Sequence, residues 1–530
     1  MQVRLFTKVL PLVVTLGLNA IAGAADQPPP QSQSQAGRAS TFVPDEGSIS
    51  TIHDALASKD VTCVQVVQAY LRRIETYDDR GPALNAIISI NPAALETAAE
   101  LDEVSSRAPL RPLHCIPIIL KDNFDTADMP TTGGSVTLAS SIPLRDAFVV
   151  RKLRGAGAIV LAKANLMELA RGGTTVSSLG GQTKNPYDLT RTPGGSSGGT
   201  GAAIAASFGV VGTGSDTGQS VRSPASAQSL VGLRPTRGLI SRTGIIPIST
   251  TQDEAGPITR TVEDAARMLD VMAGYDPDDP ITAFGVPRTP RTYSAFLNRD
   301  GLKGARIGVL TEYFGSESVH QEVNVVTEDA IRKMSDSGAT IVRITIPGLD
   351  DLTRDIQVAQ YETKIAFNKY LTSLGPRAPV KTLDEFIAGG GFHSSLKAGL
   401  QADARVRDGL DQPEYQNRML RRDALRQAVM NVIAADKLDA ILYPHQRRLV
   451  VPIGEDQVER NGVLSNSTGF PAITFPGGFS RPSVSAPLGV PVGIELLGPE
   501  WSEPTLLALA FAFEQTVRPR RPPAATPPLD

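Results

Sequence analysis

Cysteine is nearly absent from this 530-residue chain, which holds only Cys63 and Cys115. A disulfide-framework fold and a cysteine-clustered zinc site are both excluded on that count, while the pair itself could be bridged or stand as two buried thiols. The five histidines, His53, His114, His320, His393 and His445, show no H-x-x-H or H-E-x-x-H spacing, so a histidine-ligated metal hydrolase is not expected. Charge of one sign is also missing. The net charge is −3, from 52 basic and 55 acidic side chains without a basic stripe, and nucleic acid or an anionic membrane would find no electrostatic footprint here. The expected partner is a small molecule or a peptide, with no cofactor, and the composition is silent on oligomeric state.

Long hydrophobic runs are scarce too. The segment MQVRLFTKVLPLVVTLGLNAIAGAADQ sets Arg4 and Lys8 before an apolar run broken by Pro11 and Asn19, followed by Ala22-Gly23-Ala24. A bilayer span needs about 20 apolar residues; this shorter run has the three-part layout of a cleavable secretory signal over residues 1–24. An exported protein, periplasmic or secreted, with no stable membrane span is the expectation. The Pro-, Gln- and Ser-rich stretch within 25–47 predicts a disordered linker, and the proline-rich residues 519–530 predict an unstructured tail. Residues 48–518 remain as the folded domain.

What the chain does have is 41% apolar content and an alternation of short β-branched runs with amphipathic stretches. The runs at 114–120, 157–162, 305–310, 339–346 and 438–444 end on polar residues or proline, as buried strands do. Val64, Val67, Leu71 and Ile74 follow helical spacing. This predicts an α/β fold, a large mixed sheet covered by helices on both faces. The charge-dense stretch 399–436 reads as solvated helices with one packed face.

Residues 192–203, TPGGSSGGTGAA, carry the chemistry. A phosphate loop would need a lysine after its last glycine, but Thr200 follows Gly198-Gly199. Gly194 to Gly198 matches G-x-S-x-G around Ser196, with Asp439 and His445 downstream in the chain order of an α/β-hydrolase triad. That elbow must leave a buried strand directly, and the preceding NPYDLTRTP has two prolines and no apolar run. A second glycine- and serine-rich turn, carrying Ser220, follows a short apolar strand at 209–213, and GTGAAIAASF between the two turns reads as a small-residue helix.

PGGSSGG, GTGSDTGQSVRSPAS and GLRPTRGLISRTG, with CIPIILKDNFDT upstream and NSTGFPAITFPGGF downstream, resemble the amidase signature family of serine hydrolases from about residue 48 to 518. The resemblance implies that family's fold and hydrolysis of a carboxylic amide to acid plus ammonia or amine. By motif position it implies a Ser-cisSer-Lys triad of Ser220 as nucleophile, Ser196 on a cis peptide as bridge and Lys121 as base. It further implies an oxyanion hole from the backbone N–H groups of Thr217, Gly218, Gln219 and Ser220, with Asp216 and Arg222 bracing the loop and Ser197 in a structural role. Lys163, which also ends an apolar strand, is the rival base. Gln219 departs from the family pattern, where glycine is more usual, and is expected to touch the substrate pocket. Competing expectations are one component of a tRNA-dependent amidotransferase, an esterase using Ser196, and a non-catalytic exported binding protein. Pocket walls are expected from 129–145 and parts of 350–430.

Overall fold

The computed structural model describes residues 43–105 and 108–529; the predicted signal and most of the predicted linker lie outside them. Each apolar run named above becomes a strand. The strands are β1 (Ile87–Ile90), β2 (Pro117–Lys121), β3 (Ile159–Ala164), β4 (Val176–Ser177), β5 (Gly181–Gln182), β6 (Val211–Asp216) and β7 (Val231–Arg234). They continue as β8 (Glu254–Thr259), β9 (Arg306–Leu310), β10 (Thr340–Ile344), β11 (Ala440–Pro444), β12 (Ala472–Phe479) and β13 (Pro491–Leu497). β4 and β5 form a separate two-stranded ribbon, and the other 11 make one sheet in the order β1-β3-β2-β6-β8-β7-β12-β13-β11-β9-β10.

The sheet is mixed. β2 runs parallel to β3 and β6, β9 parallel to β10 and β11, and the central strands β6, β8, β7, β12 and β13 pair antiparallel. β2, β3 and β6 are buried along their whole length, which is why they read as unbroken apolar or small-residue runs instead of alternating ones.

The helix Cys63–Tyr77 starts on a capping box between Thr62 and Gln65, which satisfies two backbone donors left free by the first turn. Its buried face is Val66, Val67, Tyr70 and Ile74, with Val64 and Leu71 only half-buried, so the packed stripe is rotated slightly from the one the spacing predicts. Cys63 and Cys115 are bridged, Cα to Cα 5.2 Å, tying this helix to the residues entering β2. In the helix Pro413–Asp436 only Arg422, Leu425, Val429 and Ile433 are buried, the single packed face expected of a charge-dense stretch.

The proline-rich tail and residues 43–47 are more ordered than their composition predicts. The tail does not hang free: Arg73 donates to the carbonyls of Thr526 and Pro527 at 2.9 and 3.0 Å, and Tyr77 Oη to Pro527 at 2.9 Å. Arg520 pairs with Glu46 at 2.6 Å and donates to the Ser229 carbonyl at 2.7 Å. A proline-rich chain offers few N–H groups that need partners, so carbonyl acceptors facing buried arginine and tyrosine suffice to pin it. The same contacts order the end of the linker, where Asp45 pairs with Arg73 at 2.6 Å.

Candidate active site

Lys121 is the last residue of β2, delivered by the run 116–120 into the interior, where it is fully buried. β6 lies alongside in parallel register, Ile118 beside Val211 and Ile119 beside Gly212, so its polar end, Ser215 and Asp216, arrives at the same level. The Lys121 Nζ sits 2.8 Å from Ser196 Oγ, 2.8 Å from Ser215 Oγ and 3.2 Å from the Ser215 carbonyl. Burial pulls its ammonium from the usual 10.5 down to about 7, with Asp216 and Asp253 opposing at longer range.

Ser196 is brought there by the glycine-rich loop. The Gly195–Ser196 peptide is cis, and Gly194 has φ +72, where a side chain would also strike the Ser223 carbonyl at 2.9 Å. The Ser196 carbonyl accepts from Met167 N at 2.9 Å, and Ser197 N donates to the Ser220 carbonyl at 3.3 Å. The helix Gly198–Ala205 follows at once; a Cβ at Gly199 would come 2.1 Å from the Asn165 carbonyl, so only small residues let this helix sit so close to the sheet. Ser196 therefore leaves a loop, not a strand.

Ser220 follows β6 by a four-residue step and is 7% exposed. Its loop is fixed by charge. Asp216 accepts from Val221 N at 3.1 Å and Arg222 Nε at 3.1 Å and pairs with Arg234 at 3.0 Å. Burial alone would raise the Asp216 carboxyl, but Arg222 and Arg234 prevail and hold it well below the usual carboxylate range. Arg222 reaches on to Glu495 at 2.6 Å and to the Gly218 carbonyl at 2.6 Å. Thr217 Oγ1 donates to Asp253 at 2.6 Å. Gln219 points elsewhere than expected: its Oε1 accepts from Gly462 N at 3.2 Å, which ties the loop to the 460–469 segment, and it does not line the main cavity.

The α/β-hydrolase arrangement is overturned. His445 Nδ1 lies 2.5 Å from Glu495 Oε2, Asp439 accepts from Arg306 N at 2.7 Å, and Ser196 Oγ faces Lys121. Chain order matched that triad; space does not. Lys163 is paired with Asp122 at 3.1 Å, both fully buried, and also meets the Pro130 carbonyl and Thr131 Oγ1. Lys163→Met should cost about 3–5 kcal/mol, since it strands the buried Asp122; a thermal melt should show a clear fall in Tm, and an unchanged Tm would contradict the ion pair.

Ser215 and Asn123 were missed in the sequence. Asn123 Nδ2 donates to Ser215 Oγ at 2.9 Å, so Ser215 is held from one side and faces Lys121 on the other. For Asn123 the available signal was its place two residues after Lys121 in CIPIILKDNFDT; a lone serine in GTGSD gave no signal of its own.

A cavity of about 770 Å³ opens beside the site, with Ser215 and Thr217 on its floor and Ile245, Ile248, Tyr370 and Leu374 among its walls. Residues 143–145 and 366–374 come from the two segments expected to supply the pocket; Asp146 and 242–254 were not anticipated. Within the cavity Tyr370 Oη donates to Asp125 at 2.8 Å. Among the described residues, Cys63, His114 and Cys115 form the one group of potential metal ligands close enough to share an ion, and its two cysteines are joined to each other.

The family model described as Amidase matches residues 65–507. The peptide amidase from Stenotrophomonas maltophilia is similar with TM-score 0.82 and 35% identity, over 90% of this chain and 98% of that one. An amidase family protein from Bacillus anthracis str. Ames is similar with TM-score 0.80 and 30% identity, over 91% of this chain and 92% of that one. A probable amidase of Arabidopsis thaliana is 35% identical over 93% of this chain and 94% of that protein. Glutamyl-tRNA(Gln) amidotransferase chains are similar as well, one from Alkaliphilus metalliredigens being 36% identical over 89% of this chain and 96% of its own length.

Proposed function

Since the chain belongs to the amidase family of amide-hydrolysing enzymes, we propose that it cleaves a carboxylic amide through an acyl-enzyme on Ser220, with Ser196 and Lys121 as the proton relay. The observation that carries this reading is the 2.8 Å contact between a fully buried lysine and a serine on a cis peptide. A neutral amine has two N–H groups and one lone pair. The Ser215 carbonyl and Oγ are the acceptors on one side of Nζ, which leaves the lone pair for the Ser196 hydroxyl.

In the forward step Ser196 gives its proton to Lys121 as it takes the proton of Ser220, and Ser220 Oγ bonds to the carbonyl carbon. The tetrahedral oxygen receives hydrogen bonds from the N–H groups of residues 217–220, and the ion-paired Asp216, Arg222 and Arg234 keep that loop from rearranging as charge develops. Collapse breaks the C–N bond while the lysine's proton returns through Ser196 to the departing amine. Water then repeats the sequence on the ester, releasing the acid and restoring Ser220.

The substrate, on this proposal, is an amide with a sizeable, partly apolar group in the cavity above Ser215 and Thr217; a peptide amide fits its size, and peptide amidase is the name of one structural relative. Labelling with a fluorophosphonate probe tests the nucleophile: wild type should label stoichiometrically and Ser220→Ala not at all.

Export is the second half of the proposal. A bridged Cys63–Cys115 pair suits an oxidising compartment, whereas a tRNA-dependent amidotransferase works in the reducing cytosol. Protein recovered from the producing cell's periplasm or medium should begin near Ala25 and show no free thiol under denaturation; a cytosolic species retaining Met1 with two titratable thiols would overturn it.

A further inference from the structure

One charged group beside the site has no role in that mechanism. Arg460 belongs to the segment that closes on the nucleophile loop: two residues on, Gly462 N donates to Gln219 Oε1 at 3.2 Å and the Gly462 carbonyl accepts from Arg222 at 3.3 Å. The guanidinium lies against Gly173, where a Cβ would come 2.5 Å from Nη1, 2.9 Å from Cζ and 3.2 Å from Nη2. Gly173 in turn backs onto Gly195, whose own Cβ would meet the Gly173 carbonyl carbon at 2.8 Å. Arg460 is thus one backbone layer from the cis peptide that carries Ser196.

Its charge has no ion-pair partner in contact, and Asp216 acts on it only through space. Glu459 next to it is taken by His320 at 3.0 Å and Arg448 at 3.7 Å. Asp216 is taken by Arg222 and Arg234, Glu495 by Arg222 and His445. Arg460 itself has no ion pair or side-chain hydrogen bond among the described residues, and although half-buried it stays protonated at neutral pH, burial lowering it only to about 10. A planar fork of five donors without an acceptor, held beside a reacting centre, matches a carboxylate better than any neutral group. The position is also separate from the large cavity, whose walls include neither Gly173 nor Arg460.

We propose that Arg460 is a specificity residue that binds a substrate carboxylate, on whichever part of the amide lies outside the main cavity. The inference rests on Ser220 being the nucleophile. The preferred amides would carry an anionic group a few bonds from the scissile carbonyl, either on the leaving amine, as in an N-acyl amino acid, or on the acyl part, as in a half-amide of a dicarboxylic acid.

Two matched pairs distinguish these sources: hexanoylglycine against hexanoyl ethylamide, and N-benzylsuccinamate against N-benzylbutyramide. In one pair the wild-type ratio of kcat/KM, anionic over neutral, should exceed one, and Arg460→Met should lower that ratio about 10- to 100-fold, the range for loss of a charge-assisted hydrogen bond. The change should fall mainly in KM, and Arg460→Lys should restore part of it. An equal loss on both members of each pair would mean a general electrostatic or structural role, and an unchanged ratio would mean no role; either result overturns the inference. Calorimetry of hexanoylglycine and N-benzylsuccinamate with Ser220→Ala and with Ser220→Ala/Arg460→Met separates this from the parent reading. Binding lost only in the double variant supports Arg460 whatever turnover shows, binding equal in both refutes it, and failure of Ser220-dependent turnover counts against the nucleophile alone.

Discussion

Ser220→Ala should lower kcat by about 10⁴- to 10⁶-fold, the scale seen when a serine hydrolase loses its nucleophile and keeps only binding and oxyanion stabilisation. The fold should be untouched. The loop is fixed through the Asp216 carboxylate, the Val221 N–H and the Gly218 carbonyl, and the Ser220 hydroxyl carries none of those bonds. Removing one Oγ from a residue 7% exposed is a small loss of polar surface, so circular dichroism and Tm should match wild type within the scatter of a surface substitution. Ser196→Ala makes the informative comparison. On the proposed relay its hydroxyl, 2.8 Å from Lys121 Nζ, passes the proton of Ser220 to the lysine, and residues that act as one relay lose about as much singly as together. Ser196→Ala combined with Lys121→Ala should therefore be little worse than either alone. Losses that multiply would show two independent contributions and refute the relay.

The meeting of Lys121 with Ser196, and the turn carrying Ser220 beside them, was legible because it is written in local patterns: an apolar run ending on Lys121, and two glycine-rich turns whose close packing only small residues permit, as Gly199 against the Asn165 carbonyl shows. The strands were legible for the same reason, buried parallel β2 and β3 reading as continuous apolar runs. What failed depends on distance. His445 and Asp439 followed Ser196 in a suggestive order, yet order carries no separation, and Glu495, 50 residues beyond His445, is its actual partner. The cavity wall at 242–254 escaped because β8 is inserted between β6 and β7 in the sheet, a placement no local pattern records. Ser215 escaped because a serine at a strand end is common, and only Lys121 and Asn123 on either side give it a task. The tail misled through composition: prolines do exclude helix and sheet, but Arg73 and Tyr77, some 450 residues away, supply donors to its carbonyls.

Activity on a neutral amide should rise with pH through a single limb near pH 7. On the proposed relay Lys121 can accept the proton from Ser196 only as the free amine, and burial in a site lined by uncharged serines lowers its pKa from 10.5 to about 7. The sign is fixed by the group. A base with a depressed pKa is in its active form above that value, so kcat/KM should climb tenfold per unit below about pH 7 and level off above it, and the profile reports the free enzyme. Asp216 and Asp253 oppose the shift, so Asp253→Asn, which removes one negative charge, should move the limb toward lower pH. Lys121→Ala should lose about 10²- to 10⁴-fold, the usual contribution of general acid–base catalysis, and its residual activity should no longer show that limb. Histidine offers the competing source of a limb in this range, but burial pushes His445 below its ordinary 6.5 while Glu495 pulls the other way, and it is bonded to Glu495 and not to either serine. His445→Gln should therefore leave the limb in place even if the weakened Glu495–Arg222 network lowers stability. Lys163→Met should behave likewise, its ammonium being committed to Asp122. A limb that vanishes with His445 or Lys163 and survives loss of Lys121 would remove the lysine from the relay and leave the 2.8 Å Lys121–Ser196 contact as structure alone.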